Sequence, residues 1–194
     1  MILKIRAVGE PVLRGRARPL TPEEILLPST QDLIASMRET MRDAPGVGLA
    51  APQVGLPLQL AVIEDREEYH KDLTREVLAE RERKPVPFEV IINPVLTLES
   101  EPEIEFFEGC LSLPGLVALV TRARKVKVEC LDAQGKAKVI RASGWHARIL
   151  QHEIDHLSGA LYVDRMRSVS LCTLENFTRH WKGKSIPEIR RMLA

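Results

Sequence analysis

The sequence has few cysteines, and its charges of the two signs nearly cancel. Three cysteines stand far apart in 194 residues, at Cys110, Cys130 and Cys172. An odd, widely spaced set excludes a full disulfide framework and leaves structural, reactive or metal-bound thiols. The 28 lysines and arginines face 27 acidic residues, and the net charge of +1 argues against wholesale or sequence-specific nucleic acid binding.

The sequence also lacks any long apolar run. No segment approaches the roughly 18 uninterrupted apolar residues of a membrane span, because prolines and glutamines interrupt the most apolar stretch, 46–63. The start of the chain shows neither the apolar run nor the cleavage site of a signal peptide. We therefore expect a cytoplasmic protein without a membrane partner. The composition is ordinary for a globular protein, and the length predicts a single domain over 1–194.

Strand patterns outnumber helical patterns and do not alternate regularly with them, which predicts an α+β fold. The first helix is expected to begin at a cap formed by Ser29 or Thr30 and to run to about Asp43. Further helices are predicted over 144–158 and 168–181, and strands over 58–63, 88–98, 125–131 and 136–142. The highly charged stretch 64–84 is expected to be a solvated excursion or a surface helix.

The motif His152-Glu153-Ile154-Asp155-His156 carries the strongest chemical signal. Two histidines four residues apart project from one face of a helix, so both imidazoles can reach one ion. Glu153 is rotated by about 100° from His152, which suits proton transfer better than coordination of the same ion. Apolar residues on both sides of the pair predict a buried helix, in which unpartnered histidines would be costly. The motif therefore predicts a metal site.

A catalytic metal site usually has three protein ligands and an open position. Position along the chain makes three histidines poor candidates for the third ligand: His70, His146 and His180. Among the cysteines, Cys110 is favoured because it lies in a loop flanked by glycines. Cys130 alternates inward on a predicted strand, and Cys172 precedes apolar residues of a predicted helix, so both are expected to pack in the core.

A third segment, 46–55, has the sequence GVGLAAPQVG. Its small residues allow backbone amides to approach a ligand closely. Gln53 is the single polar side chain of this run. It could cap a turn or donate its amide hydrogens to a developing oxyanion, and the residues alone leave both roles open.

Together the segments GVGLAAPQVG (46–55), EGCLS (108–112) and QHEIDH (151–156) resemble the peptide deformylase family over nearly the whole chain. The resemblance implies an α+β fold with antiparallel sheets around a central helix that carries the HExxH motif, and a C-terminal helix. It implies a metal-activated water that removes the N-formyl group from the formylmethionine of newly synthesised polypeptides, with formate as product. The run Ser143-Gly144-Trp145 resembles the organellar branch of the family, but because no transit segment is visible we expect a protein of the bacterial cytoplasm.

The same resemblance assigns roles to individual residues. It implies that Cys110, His152 and His156 hold one divalent ion, usually Fe2+, for which Zn2+, Ni2+ or Co2+ can substitute. Glu153 would be the general acid and base, and Gln53 would form the oxyanion site with the backbone N–H of Leu111. The methionine pocket is expected to involve the following residues: Val47, Trp145, Ile149 and the aliphatic part of Arg148.

Supporting contacts and partners are expected as well. The backbone near Val47 and Gly48 would pair with the substrate strand. Glu108 and Arg122 would brace the Cys110 loop, unless they form an ordinary surface ion pair. The partners would be nascent N-formylmethionyl polypeptides. The basic C-terminal region would either dock transiently on the ribosome or form a plain solvated helix end, and the protein would be a monomer or a homodimer.

Two other functions share parts of this pattern. A zincin-like metalloprotease also carries HExxH and would need a third ligand downstream, for which Glu175 and His180 are the candidates. A non-catalytic module with a structural metal would need a fourth protein ligand. The number and identity of the converging ligands therefore separate the three functions.

Overall fold

The computed structural model describes residues 1–193 as helices combined with antiparallel strands. The strands are β1 (Gly48–Ala50), β2 (Leu60–Asp65), β3 (Val86–Leu98), β4 (Pro102–Cys110), β5 (Leu113–Ala123), β6 (Lys125–Leu131), β7 (Ala137–Ser143) and β8 (Cys172–Thr173). The helices are α1 (Pro22–Leu26), α2 (Pro28–Asp43), α3 (Arg75–Glu80), α4 (Gly144–Leu157), α5 (Leu174–Asn176) and α6 (Ile186–Met192). No helix within 1–193 is both long enough and apolar enough to cross a membrane.

The strands form two sheets. The larger sheet has the order β1-β2-β3-β6-β7, and the smaller has the order β4-β5-β8. Every strand pair in both sheets is antiparallel. The predicted α+β class, with antiparallel sheets and a C-terminal helix, is confirmed. The order leaves β1 and β7 as the edges of the larger sheet.

The predicted hairpin of β6 and β7 forms as expected. Val126, Val128 and Cys130 face the core, as their alternation with charged residues predicts. The side chain of Asp132 accepts hydrogen bonds from the backbone N–H groups of Gln134 and Lys136. This aspartate therefore closes the turn between the two strands.

Helix α4 lies between the two sheets and contacts strands of both. It begins at Gly144 and ends at Leu157, where Gly159 adopts the left-handed conformation with φ of 80°, as the sequence predicts. Apolar residues on several sides are buried, among them Ala147, Ile149 and Leu150. The helix that carries His152 and His156 therefore runs through the interior of the molecule.

The segment around Cys110 is not a loop. It forms the end of β4 and the tip of a long hairpin with β5, in which Cys110 pairs with Leu113. The proline and glycines at this tip indicate a loop in the sequence, but the flanking alternation of acidic and apolar residues is typical of strands. The hairpin places the Cys110 thiol at a fixed point beside α4.

Two helix predictions need correction at their ends. Helix α2 begins at Pro28, and no side chain caps its N-terminus. The predicted cap by Ser29 or Thr30 is wrong, since both residues lie inside the helix and the Thr30 hydroxyl donates to the carbonyl of Glu24. The predicted helix over 168–181 begins instead at Leu174, because Cys172 pairs with Val117 in a short strand. Cys172 is therefore a strand residue and not a helical one, but it packs against the apolar cluster that contains Ile189 of α6. A π-helical turn, 177–181, continues α5, and α6 is a further, separate helix.

Candidate metal centre

Three potential metal-binding side chains meet at one point. Cys110, His152 and His156 each offer a ligand atom, and these atoms lie within 4.8 Å of one another. The Cys110 Sγ lies 3.2 Å from Nε2 of His156. The two histidines stand one turn apart on α4, with ring centroids separated by 5.1 Å. The end of β4 thus meets the C-terminal half of the buried helix.

The donor set fits a divalent metal ion. In a tetrahedral site with bonds of about 2.0 to 2.3 Å, neighbouring ligand atoms lie about 3.5 Å apart, close to the separation of the Cys110 sulfur and the His156 nitrogen. One thiolate and two imidazoles suit Fe2+, Zn2+, Ni2+ and Co2+ alike. Nδ1 of His152 faces a carboxylate at 3.0 Å, which leaves Nε2 for an ion. The chemistry of the site therefore fits a metal without selecting one.

Glu108 contacts the metal-binding group through the His152 ring. Its carboxylate faces His152 and accepts hydrogen bonds from Arg122, at 3.0 Å to each oxygen, and from Arg148 at 2.6 Å. Burial raises the pKa of Glu108, but hydrogen bonds from His152 and Arg122 outweigh it and hold the pKa well below its usual value. Glu108 and Arg122 are 6% and 3% exposed. The surface ion pair considered from the sequence is therefore wrong, since the pair is buried.

Glu153 is buried against the backbone of Gly48. A Cβ atom added to Gly48 would lie 2.1 Å from Oε1 of Glu153, so this close approach requires glycine. The Oε2 atom of Glu153 is buried without a hydrogen-bond partner among residues 1–193. Burial raises the pKa of Glu153 to about 7. The carboxyl group can therefore exchange a proton near neutral pH.

Gln53 caps a turn, which is one of the two roles that the sequence left open. Its Oε1 accepts a hydrogen bond from the backbone N–H of Ala50 at 2.8 Å, which caps the turn after β1. Its Nε2 donates to Oγ of Ser112 at 3.2 Å and lies 3.5 Å from the Cys110 sulfur. The carboxamide is thus oriented with its nitrogen toward the metal-binding group. Leu111 follows Cys110 at the hairpin tip.

A cavity of about 530 Å³ opens beside this group, a typical size for a ligand pocket. The substrate-binding residues predicted from the sequence all line it: Val47, Gly48, Trp145, Arg148 and Ile149. Cys110, His152 and Glu153 also line it. Arg83 and Leu174 also line the cavity, and sequence reasoning missed both. Arg83 lies in a charged stretch without any local signal, and Leu174 lies in a segment with a wrongly placed helix start.

The ligand set argues against the two rival functions. In the part of the chain that the structure describes, the converging ligand atoms come from Cys110, His152 and His156. Glu175 and His180, the downstream candidates of a zincin-like protease, do not belong to this group. No fourth cysteine, histidine or carboxylate within 1–193 joins it either, so a closed structural site is not favoured.

Comparison with known proteins gives concordant matches. The chain matches the family model described as polypeptide deformylase over residues 2–171. Peptide deformylase 1A, chloroplastic/mitochondrial, of Arabidopsis thaliana is 47% identical over 173 residues, which are 89% of this chain. Peptide deformylase 3 of Streptomyces avermitilis is 45% identical over 180 residues, 92% of this chain and 78% of the relative. The chain spans 64% and 61% of the lengths of the plant relatives from Arabidopsis thaliana and Solanum lycopersicum.

Solved structures agree with this grouping. A class I type b peptide deformylase from Acinetobacter baumannii, with Met-Ala-Ser bound, has a TM-score of 0.75 and 33% identity, covering 86% of this chain and 99% of its own. The peptide deformylase of Thermus thermophilus has a TM-score of 0.71 and 40% identity, covering 87% and 88%. The relatives include both organellar and bacterial proteins, so a location in the bacterial cytoplasm stays a prediction.

Proposed function

Because the chain belongs to the polypeptide deformylase family, we propose that it hydrolyses the formyl amide of N-formylmethionyl polypeptides and releases formate. The observation that carries the proposal is the convergence of Cys110, His152 and His156 beside Glu153 in one cavity. The Acinetobacter baumannii relative was solved with Met-Ala-Ser bound, which is a formyl-Met-Ala-Ser substrate after loss of its formyl group.

Cys110, His152 and His156 would hold one divalent ion, with Fe2+ as the ion in the cell. The HExxH motif of α4 would thereby serve as the metal-binding motif of the protein. When bound, the ion would supply Lewis-acid chemistry at the formyl carbonyl and activate a water molecule. Glu108 would orient the His152 ring by accepting from Nδ1. Arg122 would in turn hold Glu108 in place.

Glu153 would move the proton. Its buried carboxylate takes a proton from the attacking water as the water oxygen bonds to the formyl carbon. The carbon–nitrogen bond then breaks, and Glu153 returns the proton to the departing methionine nitrogen. Formate and a free amino terminus are the products.

Gln53 and the backbone N–H of Leu111 would donate hydrogen bonds to the formyl oxygen as its negative charge grows. The capped turn already fixes the Gln53 carboxamide, so little reorganisation is needed during the reaction. Removal of one such donor typically costs about 3 kcal/mol of transition-state stabilisation.

The edge strand β1 would hold the substrate backbone. It pairs with β2 on one side and has no other strand neighbour within 1–193, so an extended peptide would add to the sheet at this edge. The backbone of Val47 and Gly48 would pair with that peptide. The methionine side chain would then enter the cavity between Val47, Ile149, Trp145 and the aliphatic part of Arg148.

The remaining features of the proposal concern the whole chain. Residues 1–194 would form one deformylase domain in the bacterial cytoplasm, as a monomer or homodimer, acting on nascent chains. Transient ribosome docking would use basic groups of the C-terminal region that have no acidic partner among residues 1–193, such as Lys182 and Arg191. Arg190 is less suited, because its guanidinium binds Glu105 at 2.7 Å.

The direct test is anaerobic purification with Fe2+, metal analysis and an assay of formate release from formyl-Met-Ala-Ser. We expect one metal ion per chain and release of formate with internal peptide bonds intact. A Glu153→Ala variant should keep the metal and lose activity. Absence of formate release by the metal-loaded protein, or cleavage of internal peptide bonds, would contradict the proposal.

A further inference from the structure

The charged segment 66–84, called the strap below, is hydrogen-bonded to one buried carboxylate near its C-terminal end and approaches the same carboxylate near its N-terminal end. Asp65 ends β2 and is fully buried. It accepts hydrogen bonds from Nε and Nη2 of Arg83, at 2.7 and 2.8 Å. His70, near the other end of the strap, places Nε2 3.1 Å from Oδ1 of Asp65. The strap is therefore fastened to the body of the protein and is not a free excursion.

The C-terminal end of the strap holds Trp145. The Trp145 backbone N–H donates to the carbonyl of Arg81 at 2.9 Å. The guanidinium groups of Arg81 and Arg83 lie 4.8 and 5.2 Å from the centroid of the indole ring. Both distances fall within the range of cation–π attraction. Two arginines of the strap, separated by one residue, thus contact the same aromatic side chain.

The strap backbone also packs tightly on the first turn of α4. Gly144 has φ of 58°, and an added Cβ atom would lie 2.7 Å from the Arg81 carbonyl oxygen and 2.4 Å from Cβ of Glu82. A larger residue at this position would push the strap away. This close contact between the two backbones therefore requires glycine at position 144.

Trp145 is a wall of the cavity that contains the metal-binding group. It precedes His152 by seven residues, which is about 10 Å along the helix axis, so it lines the cavity at a distance from the ligands. The indole also meets the ring of Phe106, with centroids 6.3 Å apart, and the Arg81 guanidinium lies 5.5 Å from the centroid of that ring. The strap and β4 therefore both contact this wall.

We propose that the strap determines substrate specificity: Arg81 and Arg83 fix the Trp145 indole and thereby set the width of the pocket for the first side chain of the substrate. The inference rests on the proposed deformylase function. We expect a fixed indole to admit an unbranched side chain of methionine size and to exclude an aromatic one. Arg83 lines the pocket itself, whereas Arg81 is a positioning residue that acts through Trp145.

Arg81 offers the cleaner variant. It forms no ion pair within 1–193, so Arg81→Ala leaves no buried carboxylate without a partner. Arg83→Ala, by contrast, would remove both guanidinium hydrogen bonds of the buried Asp65 and leave it only the His70 imidazole as a neighbour within 1–193. Arg66 provides a matched control in the same strap, since it binds Glu68 at 2.7 Å and lies over Tyr69, away from Trp145.

The experiment compares two substrates and their products on the metal-loaded protein. The kcat/KM values for formyl-Met-Ala-Ser and formyl-Phe-Ala-Ser give a selectivity ratio, and the Kd values for Met-Ala-Ser and Phe-Ala-Ser give a second ratio that does not depend on turnover. We expect Arg81→Ala to reduce both ratios about tenfold, a typical effect of reshaping an apolar pocket. Arg66→Ala should leave both ratios unchanged, and Arg81→Lys should restore part of the loss.

A role of Arg81 in general stability would lower activity on both substrates equally and leave the ratios constant. Unchanged ratios in Arg81→Ala, with formate still released from formyl-Met-Ala-Ser, would overturn the inference alone. If the Kd ratio falls as expected but the wild-type protein releases no formate, the proposed function fails while the role of the strap in peptide selection stands.

Discussion

The carboxylate of Glu108 faces Nδ1 of His152 at 3.0 Å, inside the protein and behind the metal-binding group. A carboxylate at this position fixes the orientation of the imidazole and increases its basicity. We expect Glu108→Gln to weaken metal affinity by about 10-fold to 100-fold, because glutamine has the same shape without the charge. Competition with a metal chelator measures the change.

The control for this substitution is Glu129→Gln, which removes an exposed carboxylate that binds Lys127 on the outer face of the sheet. Its metal affinity should match the wild-type value. Equal affinities for the Glu108 and Glu129 variants would show that the buried carboxylate has no influence on the ion.

Arg122 joins two buried carboxylates and should be important for stability. It binds both oxygens of Glu108 and also Oδ2 of Asp155 at 2.5 Å. Its replacement by leucine leaves both acids buried with fewer partners, which typically costs about 3 to 5 kcal/mol of unfolding free energy. Urea unfolding measures the loss. Arg179→Leu, which breaks an exposed pair with Glu175, should change stability by about 0.5 kcal/mol or less.

Activity should require glycine at position 48, although glycine has no side chain that could take part in the reaction. The Cβ of Gly48→Ala would overlap Oε1 of Glu153, so the carboxyl group must move from its position over the cavity. We expect kcat to fall by at least about 100-fold, the usual contribution of general acid–base catalysis, with the metal retained. Gly15→Ala is the control, because its Cβ would meet only the Val12 carbonyl at 3.9 Å.

The pH dependence of the reaction should report Glu153. Burial raises its pKa to about 7, and a bound cation would lower that value toward the ordinary glutamate value of about 4.3. Because the deprotonated form takes the proton from water, kcat/KM should fall as the pH drops through the pKa. We expect the midpoint of this acid limb below pH 7. A Glu153→Gln variant whose residual activity keeps the same limb would contradict the assignment.

Local periodicity predicts the parts of the fold that repeat within a few residues. The spacing of Trp145, Ile149 and His152 on α4 indicates one helix face, and the structure places all three on the wall of one cavity. The alternation in β6 likewise predicts its hairpin with β7. Both elements can be predicted from the sequence because helix and strand periodicity alone determines which side chains share a face.

Contacts between distant segments are harder to predict. The proline and glycines near Cys110 hide the hairpin of β4 and β5, because turn residues at its tip resemble those of an irregular loop. The link between Asp65 and Arg83 leaves no pattern in a stretch where charges of both signs alternate. This ion pair matters because Asp65 is fully buried, and that burial is visible only in the folded structure.

The central claim is that Cys110, His152 and His156 bind the same ion, and X-ray absorption of the Zn2+-loaded protein tests it most directly. The account predicts one sulfur at about 2.3 Å and two imidazole nitrogens at about 2.0 to 2.1 Å from the metal, with the sulfur absent in Cys110→Ser and present in Cys130→Ser. A metal shell without sulfur in the wild-type protein, or a sulfur that persists in Cys110→Ser, would contradict it.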